Sequence, residues 1–143
     1  MRRNEMKVEF DSISANEAFA RVTVAAFMAQ MNPSMEEVAD VKTAVSEAVT
    51  NAIIHGYEGE VHKISILGRI EDSLLCLEVA DQGVGIADVK KAMEPLYTSR
   101  PELERSGMGF LFMEAFMDEV QVISKPGEGT TVAMKKMIGQ HGA

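Results

Sequence analysis

The ten residues from Ser46 to His55, SEAVTNAIIH, give the first information on both the fold and the function of this chain. Apolar residues recur before and within this stretch at three- and four-residue spacing, a pattern that predicts a long amphipathic helix with one buried face. At about 100° per residue, Glu47, Asn51 and His55 stack on a polar stripe beside that face. The apolar positions are Val38, Val41, Val45, Ala48, Val49, Ala52 and Ile53.

Two residues of the polar stripe, Glu47 and Asn51, lie one turn apart at the border of the buried face. Polar groups in such a place cost free energy unless something bonds to them, and a ligand or metal ion could do so. The other interpretation is that Asn51 bonds the backbone of a neighbouring loop while Glu47 is solvated. The helix alone leaves both interpretations open. His55 is expected only to end the helix, near the last carbonyl groups.

Length and composition limit the class of protein. The 143 residues predict one domain, 1–143, large enough to fold without disulfides, and Cys76 is expected in its core. No apolar run reaches the roughly 20 residues of a membrane span, and no apolar stretch follows the N-terminal arginines, so we expect a cytoplasmic protein. A net charge of −8 disfavours nucleic-acid binding and leaves a basic partner protein open.

The order of helices and strands follows from periodicity and from capping residues. Ser14 with Glu17, and Ser34 with the acidic residues after it, are expected to cap the first two helices. The predicted strands are 6–11, 63–70, 74–80, 120–124 and 130–137, and the predicted helices are 14–32, 34–55, 87–93 and 107–117. Residues 96–105 lack periodicity and are expected to form an exposed loop.

Helices and strands come in runs in this order, which predicts an α/β (α+β) two-layer sandwich. Its helices should lie on one face of a mixed, mostly antiparallel sheet. A Rossmann domain is disfavoured, because it needs parallel crossovers and a glycine fingerprint after the first strand. A P-loop, a protein-kinase motif set, a GxSxG elbow and zinc-ligand spacing are also missing from the sequence.

Three further motifs combine glycines with polar residues. In Asp81-Gln-Gly83-Val-Gly85, the carboxylate could accept a hydrogen bond from an exocyclic amine such as that of adenine, although a simple turn gives the same pattern. Arg105-Ser-Gly107-Met-Gly109-Phe110 opens a predicted helix, which is either an anion site or only a loop boundary. Gly127-Glu-Gly129-Thr130, taken alone, is typical of a hairpin turn.

Taken in order, the four motifs resemble those of the Bergerat ATP-binding (GHKL) superfamily, which includes type II topoisomerases, heat-shock chaperones, mismatch-repair ATPases and histidine kinases. SEAVTNAIIHGY (46–57) and PELERSGMGF (101–110), with MDEV (117–120) after it, more closely resemble the bacterial anti-sigma factor serine kinases, in particular the sporulation anti-sigma F family. The resemblance covers nearly the whole chain. It implies a Bergerat-type fold that binds ATP or ADP with Mg²⁺.

The resemblance also implies roles for individual residues. Asn51 would bind Mg²⁺ through its amide oxygen, and Glu47 would be the general base that orients the attacking hydroxyl. Asp81 would hold the adenine amine, with Gly83 and Gly85 beneath the ring and Thr130 acting through a water. Residues 96–106 would form a lid over ATP. The implied phosphate contacts in and after the lid are Thr98, Ser99, Arg105, Ser106, Gly107, Met108, Gly109 and Phe110, and Arg105 would stabilise charge during transfer.

By the same resemblance, the protein would phosphorylate a serine of an anti-anti-sigma partner and, in another complex, bind and inhibit a sporulation-type sigma factor (sigma-F). It would act as a homodimer. Glu17 and Arg21, on the exposed face of the first helix, would contact a partner protein. Two alternatives are a nucleotide-sensing sigma-binding module without kinase activity and a histidine-kinase-like ATPase domain. The second is disfavoured, because 143 residues leave no room for a phospho-accepting histidine helix pair.

Overall fold

A computed structural model describes residues 2–93 and 109–139. Within them lie five strands, four α-helices, a 3₁₀ turn and a π-helical turn. The strands are β1 (Arg3–Asp11), β2 (Lys63–Glu71), β3 (Leu74–Asp81), β4 (Glu119–Lys125) and β5 (Gly129–Met137). The helices are α1 (Ala15–Met28), the 3₁₀ turn (Ala29–Met31), α2 (Met35–Asn51), the π-helix (Ala52–Gly56), α3 (Val89–Ala92) and α4 (Gly109–Phe116).

The five strands form one sheet in the order β1-β2-β3-β5-β4, and every neighbouring pair is antiparallel. Alternation along β2 places Ile64, Ile66 and Ile70 on the buried face of the sheet. Ile66 pairs with Val79, which pairs with Val132, so apolar side chains continue across the strands on that face. The predicted two-layer sandwich is confirmed, and its sheet is antiparallel at each of these pairings rather than mixed.

The helices bury their apolar faces in the same core. Helix α2 packs against both α1 and α4, and its predicted apolar stripe is confirmed. The buried members of that stripe are Val41, Val45, Ala48, Val49 and Ala52, while Val38 and Ile53 are partly buried against the core. Cys76 is buried in β3, as expected. Within 2–93 and 109–139, no helix has the length and apolar character of a membrane span.

The two predicted N-caps behave differently. Ser34 and Glu37 form the reciprocal bonds of a capping box, with Glu37 N donating to Ser34 Oγ at 3.1 Å and Ser34 N donating to Glu37 Oε1 at 2.8 Å. The cap predicted at Ser14 is wrong. Its backbone is already helical, at φ −60° and ψ −28°, and its side chain makes no cap hydrogen bond. Glu17 is therefore available for contacts with α2.

The ends of some helices also differ from the predicted ends. The first helix ends as a 3₁₀ turn over Ala29–Met31, and Asn32 follows with a left-handed backbone at φ 54°. The helix predicted to reach His55 does so, but its last turn is a π-helix in which Tyr57 N donates to Ala52 O at 2.9 Å. The short helix predicted over 87–93 spans Val89–Ala92. The predicted loop 96–105 lies outside the described residues.

Candidate functional site

The first part of the site lies where α4 begins beside α2. A Cβ atom added to Gly109 would lie 3.2 Å from Glu47 Oε2, 3.2 Å from Asn51 Nδ2 and 3.3 Å from Asn51 Oδ1. The polar stripe of α2 therefore faces the first residue of α4, where a Cβ atom would fit only if the Glu47 and Asn51 side chains moved by a few tenths of an ångström. The sequence placed these residues in two separate motifs, and the structure brings them together.

This arrangement combines three kinds of polar group. The first turn of α4 has backbone N–H groups without partners inside the helix, and a helix N-terminus carries a partial positive charge. Beside it are the Glu47 carboxylate and the Asn51 amide, both half-buried. Such a place can receive an anion on the amides of α4 while a carboxylate and an amide oxygen contact a cation or a hydroxyl.

The second part of the site is Asp81, the last residue of β3. It pairs with Thr130 across β3 and β5, it is 8% exposed, and its Oδ1 accepts a hydrogen bond from Gly83 N at 2.9 Å. Burial raises the pKa of this carboxyl, and backbone hydrogen bonds from Gly83 and Thr130 oppose that effect. A carboxyl kept in a buried place at such a cost is well suited to accept a hydrogen bond from a ligand.

The π-helical turn connects the two parts of the site. A Cβ atom added to Gly56 would lie 2.7 Å from the Asp81 carboxyl, so the backbone of Gly56 is in contact with that side chain. Gly56 O accepts a hydrogen bond from Val84 N at 2.9 Å. Asn51 immediately precedes this turn. One continuous helical segment thus carries Glu47 and Asn51 at one end and contacts Asp81 at the other.

The β4–β5 hairpin forms a further wall of the site. Gly129 has a φ of +84°, and a Cβ atom there would lie 2.2 Å from Asp81 O, so a glycine is required on both grounds. Thr130 Oγ1 and Ser124 Oγ are 2.7 Å apart, and Ser124 Oγ also accepts from Ile86 N at 2.7 Å. The predicted hairpin turn is confirmed, and its last residues lie against Asp81 as well.

The glycines of the loop after β3 lie between these walls. Gly83 donates to Asp81, and Gly85 lies against the backbone of Lys125 at the end of β4. Gly127 N donates to Val84 O at 2.7 Å, which joins this loop to the turn between β4 and β5. The loop that carries the predicted adenine-binding motif is therefore held on two sides, by the π-helix and by the hairpin.

Glu17 and Arg21 are less exposed than the sequence predicts. Their side chains are 30% and 35% exposed, and Arg21 Nη1 donates to Glu17 Oε1 at 3.1 Å. Glu17 also accepts hydrogen bonds from Ser46 Oγ and, at 3.0 Å, from Thr50 Oγ1. The correction follows from the packing of α1 on α2, which places both side chains between the helices. A cleft of about 390 Å³ beside them is lined by Arg21, Ala39, Lys42, Thr43, Ser46 and Glu47.

The remaining predicted site residues lie partly inside and partly outside the described part of the chain. Phe110 is the second residue of α4 and is partly buried against the core. Sequence reasoning missed three residues at the site: Gly56, Tyr57 and Ser124. Gly56 and Tyr57 are within the quoted stretch 46–57 but carried no role there, and Ser124 had no signal in the sequence. Six predicted residues, Thr98, Ser99, Arg105, Ser106, Gly107 and Met108, lie outside the described residues.

Comparison with known proteins supports an assignment. A family profile described as "Histidine kinase-like ATPase domain" matches residues 12–136. The anti-sigma F factor of Clostridium acetobutylicum is 58% identical over 136 residues, which cover 95% of this chain and 95% of the relative. The anti-sigma F factor of Pasteuria penetrans is 57% identical over 142 residues, covering 96% and 93%. That of Bacillus cereus strain G9842 is 54% identical over 142 residues, covering 99% and 97%.

Two solved structures share the fold at 20% sequence identity. The RsbU and RsbW domains of a Mycobacterium tuberculosis protein match with a TM-score of 0.68, over 94% of this chain and 32% of that one. The histidine kinase domain of a blue-light activated histidine kinase from Erythrobacter litoralis matches with a TM-score of 0.53, over 73% and 46%. The chain thus spans less than half the length of either.

The family assignment agrees with the geometry of the site. An ATPase domain implies binding of ATP or ADP, and the described residues of the motifs that resemble those of ATP-binding proteins lie at the α2–α4 contact and around Asp81. The chain therefore belongs to the histidine kinase-like ATPase family and, within that family, to the anti-sigma F factors.

Proposed function

We propose that this protein binds and inhibits a sporulation-type sigma factor, sigma-F, and that it uses Mg-ATP to phosphorylate a serine of an anti-anti-sigma partner. The contact of Gly109 with both Glu47 and Asn51 is the observation that carries the kinase part of the proposal. This contact means that the Glu47 carboxylate, the Asn51 amide and the N-terminus of α4 lie close together. The sigma-factor part is supported by the relatives at 54–58% identity, which are anti-sigma F factors.

In this proposal the nucleotide lies between the two parts of the site. Asp81 accepts a hydrogen bond from the exocyclic amine of adenine, and Gly83, Gly85 and Thr130 lie around the ring. The phosphates extend toward the N-terminus of α4, where backbone amides of Gly109 and Phe110 can donate to them. The predicted lid residues Thr98, Ser99 and Arg105, and the amides of residues 106–108, complete the phosphate contacts. Arg105 offsets the negative charge that develops during transfer.

A magnesium ion fits the donor set at the α2–α4 contact. Hard divalent cations prefer oxygen ligands, and the Asn51 amide oxygen lies beside the proposed phosphate position. Among the described residues, no cluster of three or more His, Cys, Asp or Glu side chains could hold a metal. In this proposal the ion would be held by Asn51 together with phosphate and water. When bound, it would neutralise charge on the phosphates.

The proposed chemistry is transfer of the γ-phosphoryl group to a serine hydroxyl. Glu47 orients that hydroxyl and accepts its proton as the serine oxygen bonds to the γ-phosphorus. The bond from the γ-phosphorus to the β–γ bridging oxygen breaks, and ADP leaves. The half-buried position of Glu47 beside the cleft between α1 and α2 leaves an approach for a partner side chain. Arg21, which lines the same cleft, and Glu17, which is paired with Arg21, remain proposed partner contacts. The protein is proposed to act as a cytoplasmic homodimer.

The test is incubation of the protein with Mg²⁺, labelled ATP and a candidate anti-anti-sigma protein. We expect label on a partner serine. Glu47→Gln should lower the transfer rate by roughly 100-fold or more, because a positioned general base contributes about 10²–10⁴-fold. ATP affinity should stay within about threefold, since this substitution leaves Asn51 and Asp81 in place.

Glu36→Gln is the matched control, because Glu36 is exposed and lies in the first turn of the same helix. It should transfer phosphate at the wild-type rate. Unchanged transfer by Glu47→Gln would remove Glu47 as the base. A partner that stays unlabelled by wild-type protein, while a sigma factor still binds, would instead favour the sigma-binding module that only senses nucleotide.

A further inference from the structure

Tyr57 is a buried residue that none of the proposed catalytic or binding roles uses. It follows the π-helix and is 6% exposed, and its ring lies 5.0 Å from that of His62. Its hydroxyl donates to Lys63 O and accepts a hydrogen bond from Gln82 N at 2.7 Å. Burial raises the pKa of Tyr57, and Asp81 adds to the rise while the Gln82 hydrogen bond opposes it. The hydroxyl therefore keeps its proton at neutral pH and can act as donor and acceptor together.

The acceptor side of this hydroxyl is directed at the residue next to Asp81. Gln82 N donates a hydrogen bond to Tyr57 Oη, and Gly83 N donates one to Asp81 Oδ1. Val84 N donates one to Gly56 O. Three successive amides of the loop are thus fixed, two of them by neighbours in the segment that continues α2. The carboxyl of Asp81 also rests against Gly56, so its own position depends on the same segment.

We propose that Tyr57 is a positioning residue for Asp81. By holding Gln82 N on a hydroxyl that is itself anchored to Lys63 O, Tyr57 sets the direction in which the Asp81 carboxyl faces the nucleobase. It touches no substrate in this proposal and acts only through the loop. The proposal rests on the proposed role of Asp81, and it makes Tyr57 a determinant of selectivity for a base that carries an exocyclic amine.

The experiment compares ATP with purine riboside 5′-triphosphate, which lacks that amine, on wild type and on Tyr57→Phe. The phenylalanine keeps the ring and removes only the hydroxyl. We expect the Kd for ATP to rise about tenfold, close to the effect of losing one well-placed hydrogen bond. The Kd for purine riboside 5′-triphosphate should change less than twofold. If Tyr57 had a purely structural role, Tyr57→Phe would raise the Kd of both nucleotides by the same factor. That result, or an unchanged Kd for both, would overturn the proposal.

Ser12→Ala is the matched control. Ser12 is 2% exposed, and its hydroxyl also bridges two backbone groups, donating to Glu60 O and accepting from His62 N, each at 2.9 Å. Its removal costs a similar pair of bonds without a contact to Gln82, so the ratio of the two Kd values should stay at the wild-type value. In an Asp81→Asn background, Tyr57→Phe should no longer change this ratio.

Hydrogen exchange of the Gln82 amide in wild-type protein gives a second measurement that does not depend on the folding of a variant. Saturation with ATP should slow this exchange more than saturation with purine riboside 5′-triphosphate, and equal slowing would contradict the role of Tyr57. A wild type that binds both nucleotides equally would instead contradict the adenine contact of Asp81. The two failures are therefore distinguishable.

Discussion

The buried position of the Asp81 carboxyl suits a hydrogen bond to a ligand but lowers the stability of the folded protein when the carboxyl is ionised. Its burial at the end of β3 raises its pKa, so the folded protein holds this proton more tightly than the unfolded chain does. The stability that this raised pKa contributes is fully present below the ordinary aspartate pKa of about 3.9. It is lost as the pH rises through the higher pKa of Asp81 in the folded protein. As the pH rises above the ordinary aspartate pKa, the raised pKa of Asp81 therefore lowers the stability of the nucleotide-free protein.

This leads to a prediction for Asp81→Asn in the absence of nucleotide. The amide keeps an oxygen that can accept from Gly83 N but carries no charge, so the variant should be more stable than wild type at pH 7. The difference should vanish below about pH 4. Urea unfolding at a series of pH values measures it, with the exposed Glu128→Gln as a control that follows the wild-type curve. Superimposed curves for Asp81→Asn and wild type would contradict the explanation.

At the scale of single elements, capping gives a matched pair of substitutions. Ser34→Ala removes an acceptor used by Glu37 N and should cost about 1 kcal/mol of unfolding free energy. Ser14→Ala removes a side chain that makes no cap hydrogen bond and should change stability by less than about 0.5 kcal/mol. Chemical denaturation of both variants measures the difference. Equal losses would mean that the side-chain cap of α2 has no special role in stability.

The elements themselves were largely predictable from local pattern. The apolar stripe of α2 and the alternating apolar residues of β2 each indicate one buried face. Residue spacing alone therefore predicted that this helix and this strand exist and which of their faces is buried. The lack of a side-chain cap at Ser14 and the π-helix at Ala52–Gly56 could not. The first depends on the backbone angles of Ser14 and on the contacts that Glu17 makes with Ser46 and Thr50. The second depends on the hydrogen bond from Val84 N in the loop after β3 to Gly56 O.

At the scale of the whole molecule, the site shows a similar division. Glu47, Asn51 and Asp81 could be predicted because motifs carry them, and the structure adds that Gly109 meets the first two. Tyr57 and Ser124 could not, because each acts by bonding backbone of a distant segment, Gln82 and Ile86 respectively. A side chain that only holds other residues in place leaves no pattern around itself.

A nucleotide that binds this site should stabilise the molecule as a unit, because the site includes residues of α2, α4, β3 and β5. At a concentration 100 times its Kd, ATP should add about 2.7 kcal/mol of unfolding free energy. For a chain of this size that raises the melting temperature by roughly 5–10 °C. Differential scanning calorimetry with Mg-ATP measures the shift. The shift should be largely lost in Asp81→Asn, and a full shift in that variant would contradict the adenine contact.

The π-helical turn makes the length of one short segment unusually important. The bond from Tyr57 N to Ala52 O spans five residues, so this turn contains one residue more than an α-helical turn. Inserting a further residue with α-helical geometry before Gly56 would rotate everything after it by about 100° and shift it by about 1.5 Å relative to Asn51. Gly56 and Tyr57 would then miss the loop after β3. Deleting Ile53 or Ile54 would instead let the turn close as an ordinary α-helix with Gly56 and Tyr57 near their present directions, so the site should tolerate a deletion here better than an insertion.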